Sequence, residues 1–239
     1  MLDIIGAIVI TAIYAAIVGL LVGLSPLSRP TKLVACAVAA LWPAAIILVA
    51  VSGGLAPGAT GPVPVPVLLL VSMLALLFGG WRLLPGFREA LLAVPLAALV
   101  GVNATRLVGI FFLLLAAEGR LSAPFAPSAG WGDIAVGIAA IVLVMTMMRG
   151  SVRPIWLGTW NALGTLDLLS AVSLGALSAP GTPFRVFTEG AGTQAIGTLP
   201  WTLIPAALVP LFLLVHVTIA VRLKSMQGAP HTLAAVRGT

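Results

Sequence analysis

Seven stretches of this chain, each near 20 residues long, are apolar almost without interruption: 3–24, 33–53, 64–81, 96–117, 131–148, 155–178 and 200–222. No other feature restricts the fold as much. About 20 helical residues cross the roughly 30 Å of membrane hydrocarbon, where every backbone N–H and C=O must find a partner inside the protein. Only helices and closed barrels meet that condition. Barrel strands alternate apolar and polar residues, and these runs do not. The expected fold is therefore all-α: one polytopic domain over residues 1–239, a bundle of seven transmembrane helices. Composition agrees, since 8% of residues are charged and mean hydropathy is +1.20, against about 25% charged in soluble domains.

The fourth run needs interpretation. Phe87 to Ala117 is 31 residues, about 46 Å as one helix, too long for one span and too short for two. An interfacial turn in "PGFREALLAV", ending near Pro95, followed by the span itself, resolves the length. At the N-terminus, "MLDIIGAIVI" has neither the basic start nor the small-residue end of a cleaved signal peptide, so the first span is expected to remain. Cys36 lies inside a run and is read as a small buried hydrophobe.

Positive charge sets the expected orientation. Arg29, Lys32, Arg82, Arg88, Arg149, Arg153, Arg222, Lys224 and Arg237 flank the spans on one side, whereas Arg120 and Arg185 lie on the other. Basic residues collect on the cytoplasmic side, so the N-terminus is expected outside and the C-terminus in the cytoplasm. The net charge of +6 is thereby explained by topology. Nucleic acid is not an expected partner; the lipid bilayer is.

Ionisable groups within hydrocarbon are costly and are functional candidates by default. On the helical rise, Arg106 lies roughly 18 Å below the outer end of span four, and Asn103 is one turn cytoplasmic of it. Asn161 and Asp167 lie roughly 10 and 20 Å into span six from its cytoplasmic end, and His216 about 9 Å from the cytoplasmic end of span seven. Asn103, Arg106, Asn161 and His216 thus share similar depth. Asp167, the one acidic residue in the middle of a span, is about 8 Å further out. Arginine keeps its charge and needs an anion in lipid, so an Arg106–Asp167 pair, direct or through water, is expected. The competing explanation is a structural clamp between helices. Asn161 and Asp167 fall on divergent faces of their helix. Asp133 is placed at the outer start of span five, where the helix dipole favours a carboxylate and Ser128 or Gly130 can cap; it is either a helix-start anion or a contact in an outer vestibule. Glycines 132, 137, 158 and 164 allow close helix approach. In span seven Pro200 starts the helix, while Pro205 and Pro210 each free a carbonyl and bend it.

The chain has no HExxH, GxSxG, CxxC or P-loop pattern. Seven spans in this orientation resemble the microbial rhodopsins in span count only. Those carry retinal on a lysine in the middle of the last span, whereas Lys224 lies beyond Arg222. One intramembrane histidine cannot hold a haem from both faces. The cofactor is therefore open.

The stretches "RLVGIFF" (106–112), "FAPSAGWGDIAVG" (125–137), "WNALGTLDLLSAVSLG" (160–175) and "LPWTLIPAALVPLFLLVH" (199–216) look like a recurring family of uncharacterised bacterial multi-pass membrane proteins. The resemblance spans about residues 100–222. It implies a place in the bacterial cytoplasmic membrane and one constellation of polar positions, and nothing about substrate. The leading functional expectation is binding or movement of a small polar solute, ion or proton at Arg106, Asp167, Asn103, Asn161, His216 and Asp133. A structural or accessory subunit is the alternative. An intramembrane enzyme on a lipid or isoprenoid ranks third, because Asp133 and Asp167 are read as separated in depth.

Overall fold

The computed structural model describes residues 1–56, 58–59, 61–150 and 152–236, with side chains as far as Met226. Arg237 lies outside them. All regular structure among the described residues is helical. The elements are α1 (Leu2–Leu24), α2 (Arg29–Val51), α3 (Val65–Leu83), α4 (Pro85–Ala93), α5 (Leu96–Val102), α6 (Ile110–Ala117), α7 (Phe125–Arg149), α8 (Pro154–Leu177) and α9 (Val209–Val236). A 3-10 segment, Asn103–Gly109, joins α5 to α6, a short one covers Gln194–Gly197, and a π-turn, Ile204–Leu208, leads into α9.

Six segments are long and apolar enough to cross a membrane: α1, α2, α3, the continuous Leu96–Ala117, α7 and Ile204–Met226. The seventh expected span corresponds to α8. Its 24 residues give enough length, but Asn161 and Asp167 lower its hydropathy and it is not among the six. The expected interfacial turn is α4. It starts with Pro85 in its first turn and ends where Val94 is forced into the extended conformation (ψ 134°) ahead of Pro95.

Two segments form the centre. Helix α7 packs on α5, the 3-10 segment, α6 and α8, while α9 and its π-turn pack on α3, α5 and α8. In lipid there is no hydrophobic drive between helices, so close contact at small residues supplies the association. Residues Ala126, Gly130, Asp133, Gly137 and Ala140, spaced four and three apart, are the buried stripe of α7. A Cβ at Gly109 would lie 3.0 Å from the Gly130 carbonyl, so the two backbones are in direct contact. At the periphery, the α2 span is only 6% buried against 72% for the last span. Cys36 is exposed there, contrary to the buried position expected, because α2 packs on few neighbours.

Span four is not a regular helix at its middle. Asn103 Nδ2 donates to the Leu99 carbonyl (3.2 Å) and Thr105 Oγ1 to Val102 (2.7 Å). Such side-chain bonds compete with the α ladder, and the chain tightens to 3-10 over the turns that carry Arg106. Of the prolines in the last span, Pro210 frees a carbonyl as expected, whereas Pro200 lies in a turn ahead of the helix and does not start it, and Pro205 stands in the first turn of the π-segment. Pro210 cannot pair the Ala206 carbonyl one turn earlier, and Trp42 Nε1 donates to that oxygen instead (2.8 Å). This ties α2 to the π-turn.

The end of the bundle bearing the N-terminus is tied by Trp201. Its indole N–H donates to Asp3 Oδ1 (2.7 Å), which also accepts from Arg120 Nη2 (2.8 Å). The hydrogen bond to Asp3 holds the Arg120 guanidinium above its ordinary value. The Trp201 ring fills the space beside Gly6, where a Cβ would come within 2.5 Å of it. The connections 118–124 and 178–202 meet at this same end, where the Ser122 N–H donates to the Gly192 carbonyl (3.0 Å).

Candidate functional site

Arg106 is fully buried, and every one of its guanidinium nitrogens has a partner. Nε donates to Asp133 Oδ1 on α7 (2.7 Å). Nη2 donates to Asp167 Oδ2 on α8. Nη1 donates to the Gly164 carbonyl (3.0 Å) and faces His216 Nε2 at 3.4 Å. One guanidinium thus binds two carboxylates from two helices, with the Phe212 ring 5.8 Å from its central carbon. Because the fork is planar and rigid, its position fixes α7 and α8 relative to span four.

The histidine tautomer follows from its partners. Asn161 Nδ2 donates to the His216 main-chain carbonyl (3.2 Å), leaving Oδ1 to face His216 Nδ1 (2.8 Å). An amide oxygen only accepts, so Nδ1 carries the hydrogen and Nε2 turns its lone pair toward Arg106. His216 is accordingly a neutral imidazole that accepts from the cation. Trp160 backs it, with ring centroids 5.5 Å apart.

Glycines make the approach possible. A Cβ at Gly132 would occupy the place of the Asp167 carboxylate, and one at Gly164 would lie 2.7 Å from His216 Cε1. Gly137 abuts the backbone of Leu107 and Asn103. Gly158, expected to serve likewise, has nothing near its Cβ direction.

A cavity of about 590 Å³ runs from the end bearing Leu55, Pro64, Pro180 and Thr198 down to Asp133. Its walls are chiefly apolar, with Phe112, Leu168, Val172 and Val209 among them, and Thr193 and Gln194 add polarity nearer the loops. Asp133 is 8% exposed. Its Oδ1 is taken by Arg106, and its Oδ2 accepts no hydrogen bond among the described residues.

Arg106 and Asp167 are in direct contact, with no water needed between them. The helical-rise depths separated them because they assumed ideal, untilted helices and ignored the 3-10 turn that carries Arg106. Asn161 and His216 pair as a unit on the other side of the guanidinium. Asn103 does not join: its amide bonds its own helix, and its Oδ1 is buried without a partner among the described residues. The position of Asp133 departs most from expectation. Helix α7 begins at Phe125 after Pro124, not near residue 131, so Asp133 lies two turns inside the helix. It is not a helix-start anion, and it shares Arg106 with Asp167 instead of being separated from it in depth. Sequence reasoning missed the Gly164 carbonyl altogether, since a main-chain acceptor leaves no mark in residue type. The spacing of Ala126, Gly130, Gly137 and Ala140 around Asp133 was the signal that could have placed its side chain inward.

Comparison with known proteins adds the family and no activity. No curated protein and no solved structure matches the chain. The model of a family described as "Domain of unknown function (DUF8737)" matches residues 62–224. That range holds α3 through most of the last span and every residue of the Arg106 cluster, and it leaves out α1 and α2. With more than half of its length matched, the chain belongs to the DUF8737 family.

Proposed function

We propose that the protein crosses the membrane seven times, N-terminus outside and C-terminus in the cytoplasm, and binds or moves a small polar solute, an ion or a proton at the Arg106 cluster. Helix α8 counts as the seventh span, because the side chains that lower its hydropathy turn inward onto Arg106 and His216. The distribution of basic residues supports the orientation, and the cavity then opens outward.

One observation carries the functional reading: the cluster holds one acid more than its arginine neutralises. With both aspartates ionised the formal charge of Arg106, Asp133 and Asp167 is −1, and an uncompensated charge in a desolvated site is costly. Uptake of one proton or one cation removes the cost. A clamp of α7 and α8 onto span four needs both side chains as acceptors, which a neutral amide could also supply, but not the second negative charge.

Replacing Asp167 by Asn is expected to leave an inserted, folded protein while abolishing the pH response of Trp160 fluorescence, which reports on the cluster through the neighbouring His216 ring. Failure of Asp167→Asn to insert would instead mark the cluster as a clamp. The orientation has its own check. With Cys36 replaced by Ala, a cysteine at the exposed Glu189 position should react with an impermeant maleimide outside sealed vesicles of native orientation, and one at Arg153 only after permeabilisation. The reverse pattern would invert the topology.

The juxtaposed carboxylates also favour a second reading, acid–base chemistry on a membrane-soluble substrate such as a lipid or isoprenoid. Both acids are held on Arg106, however, and the cavity shows no further polar group aligned with them, so binding ranks first.

A further inference from the structure

The geometry points to a specific class of occupant for the cavity: a single-chain molecule with a primary ammonium head and an apolar body, its head seated on Asp133. The inference rests on the reading of the cluster as a site that accepts positive charge.

Three features converge. The volume of about 590 Å³ falls within the roughly 300–1,000 Å³ of small-molecule sites. The walls between mouth and floor are apolar, suited to a hydrocarbon body rather than to a hydrated ion. The floor holds Asp133 Oδ2, an acceptor with no hydrogen-bond partner among the described residues, next to a cluster one negative charge in excess. Each nitrogen of the nearby cation, Arg106, already has a partner of its own. An anionic head would meet two carboxylates, and a neutral hydroxyl would leave the excess charge in place. An ammonium group satisfies both the acceptor and the charge, with charge-assisted hydrogen bonds of the stronger kind.

The proton balance is fixed by the same logic. Without ligand the cluster stays neutral by keeping one carboxyl protonated. When the ammonium arrives, that proton leaves to solvent as the carboxylate takes the R–NH₃⁺ group, so one cation exchanges for another. No covalent bond changes.

The test uses the full chain in phosphatidylcholine nanodiscs with three probes of equal length: octylammonium, octanol and octanoate. Octylammonium should bind at least about tenfold tighter than octanol, a difference of about 1.4 kcal/mol, and release about one proton per chain in weak buffer. Octanoate should not bind. Asp133→Asn should lose the preference for the amine and the proton release together. Val172→Trp, which fills the cavity wall and leaves the cluster untouched, should lose amine binding while remaining folded. Equal binding of octanol, or undiminished amine binding by either variant, overturns the proposal. Adding phosphatidylethanolamine to the nanodiscs separates the sources of the head group. A fall in octylammonium affinity assigns it to an aminolipid and overturns the single-chain occupant; an unchanged affinity supports the free amine. Labelling with a hydrophobic carbodiimide, which couples to protonated carboxyls, separates the two levels of the account. If Asp133 is labelled but no amine binds, the ligand class is wrong and the charge-accepting site stands. If it is neither labelled nor bound, both fail.

Discussion

Arg106→Gln is expected to cost about 3–5 kcal/mol of stability, the range for removing one partner of a buried ion pair, while Asp133→Asn or Asp167→Asn alone should cost markedly less. The asymmetry follows from stoichiometry. Loss of either acid leaves a guanidinium still facing one carboxylate, so the site is neutral without a bound proton and an amide oxygen can still accept from the freed nitrogen. Loss of Arg106 leaves two carboxylates and His216 Nε2 without the donor they share, and removes a side-chain bond from the Gly164 carbonyl. Combining Arg106→Gln with both Asp→Asn changes should recover much of the loss, since none of the remaining groups is charged and residues in one network do not add. Thermal unfolding of the four variants in one detergent measures this. A single Asp→Asn change as damaging as Arg106→Gln would contradict the idea of an excess acid.

The second large effect is expected at glycines that look alike in sequence. Gly132→Ala should destabilise by about 1–3 kcal/mol, the usual cost of overpacking, because the new Cβ falls where the Asp167 carboxylate sits. The Asp167 contact with Arg106 must then open. Gly158→Ala has no such neighbour and lies within α8, so it should stabilise by about 0.5–1 kcal/mol through the lower entropy cost of Ala in a helix. In the Gly132→Ala background, Asp167→Ala should cost little further, since the clash goes with the carboxylate. Denaturation midpoints for the pair of glycine variants decide it: equal signs would mean that Gly132 is not the gap that admits Asp167.

The sequence showed the large features because lipid permits few alternatives. Apolar runs of span length could only be helices, and Pro85 and Pro95 marked the ends of α4. It also identified the six polar positions, since each is rare in hydrocarbon. What it could not show was how they combine. Depths from the 1.5 Å rise assume straight, untilted helices, and span four breaks into a 3-10 turn at Arg106 itself. The start of α7 was misplaced because "FAPSAGWGD" is only weakly apolar, yet its Phe125, Ala126, Ala129, Gly130 and Asp133 are the buried face of the helix while Pro127, Ser128 and Trp131 are exposed. That error of two turns moved Asp133 from the core to the rim. Asn103 failed to join the cluster for a local reason: its amide bonds Leu99. Helix α8 shows the converse. It is less apolar than its neighbours because its polar residues serve the interior.

The most direct test of the central claim is infrared difference spectroscopy of the protonated-carboxyl band in lipid, with exchange from H₂O to D₂O. A charge-accepting cluster predicts one buried carboxylic acid per chain in the wild type. Its band should shift within minutes of exchange, because the cavity reaches Asp133, and should disappear in the Asp133→Asn/Asp167→Asn double variant. A band that never exchanges, or no protonated carboxyl across the neutral pH range, would contradict the account and leave Arg106 as a dry clamp between helices.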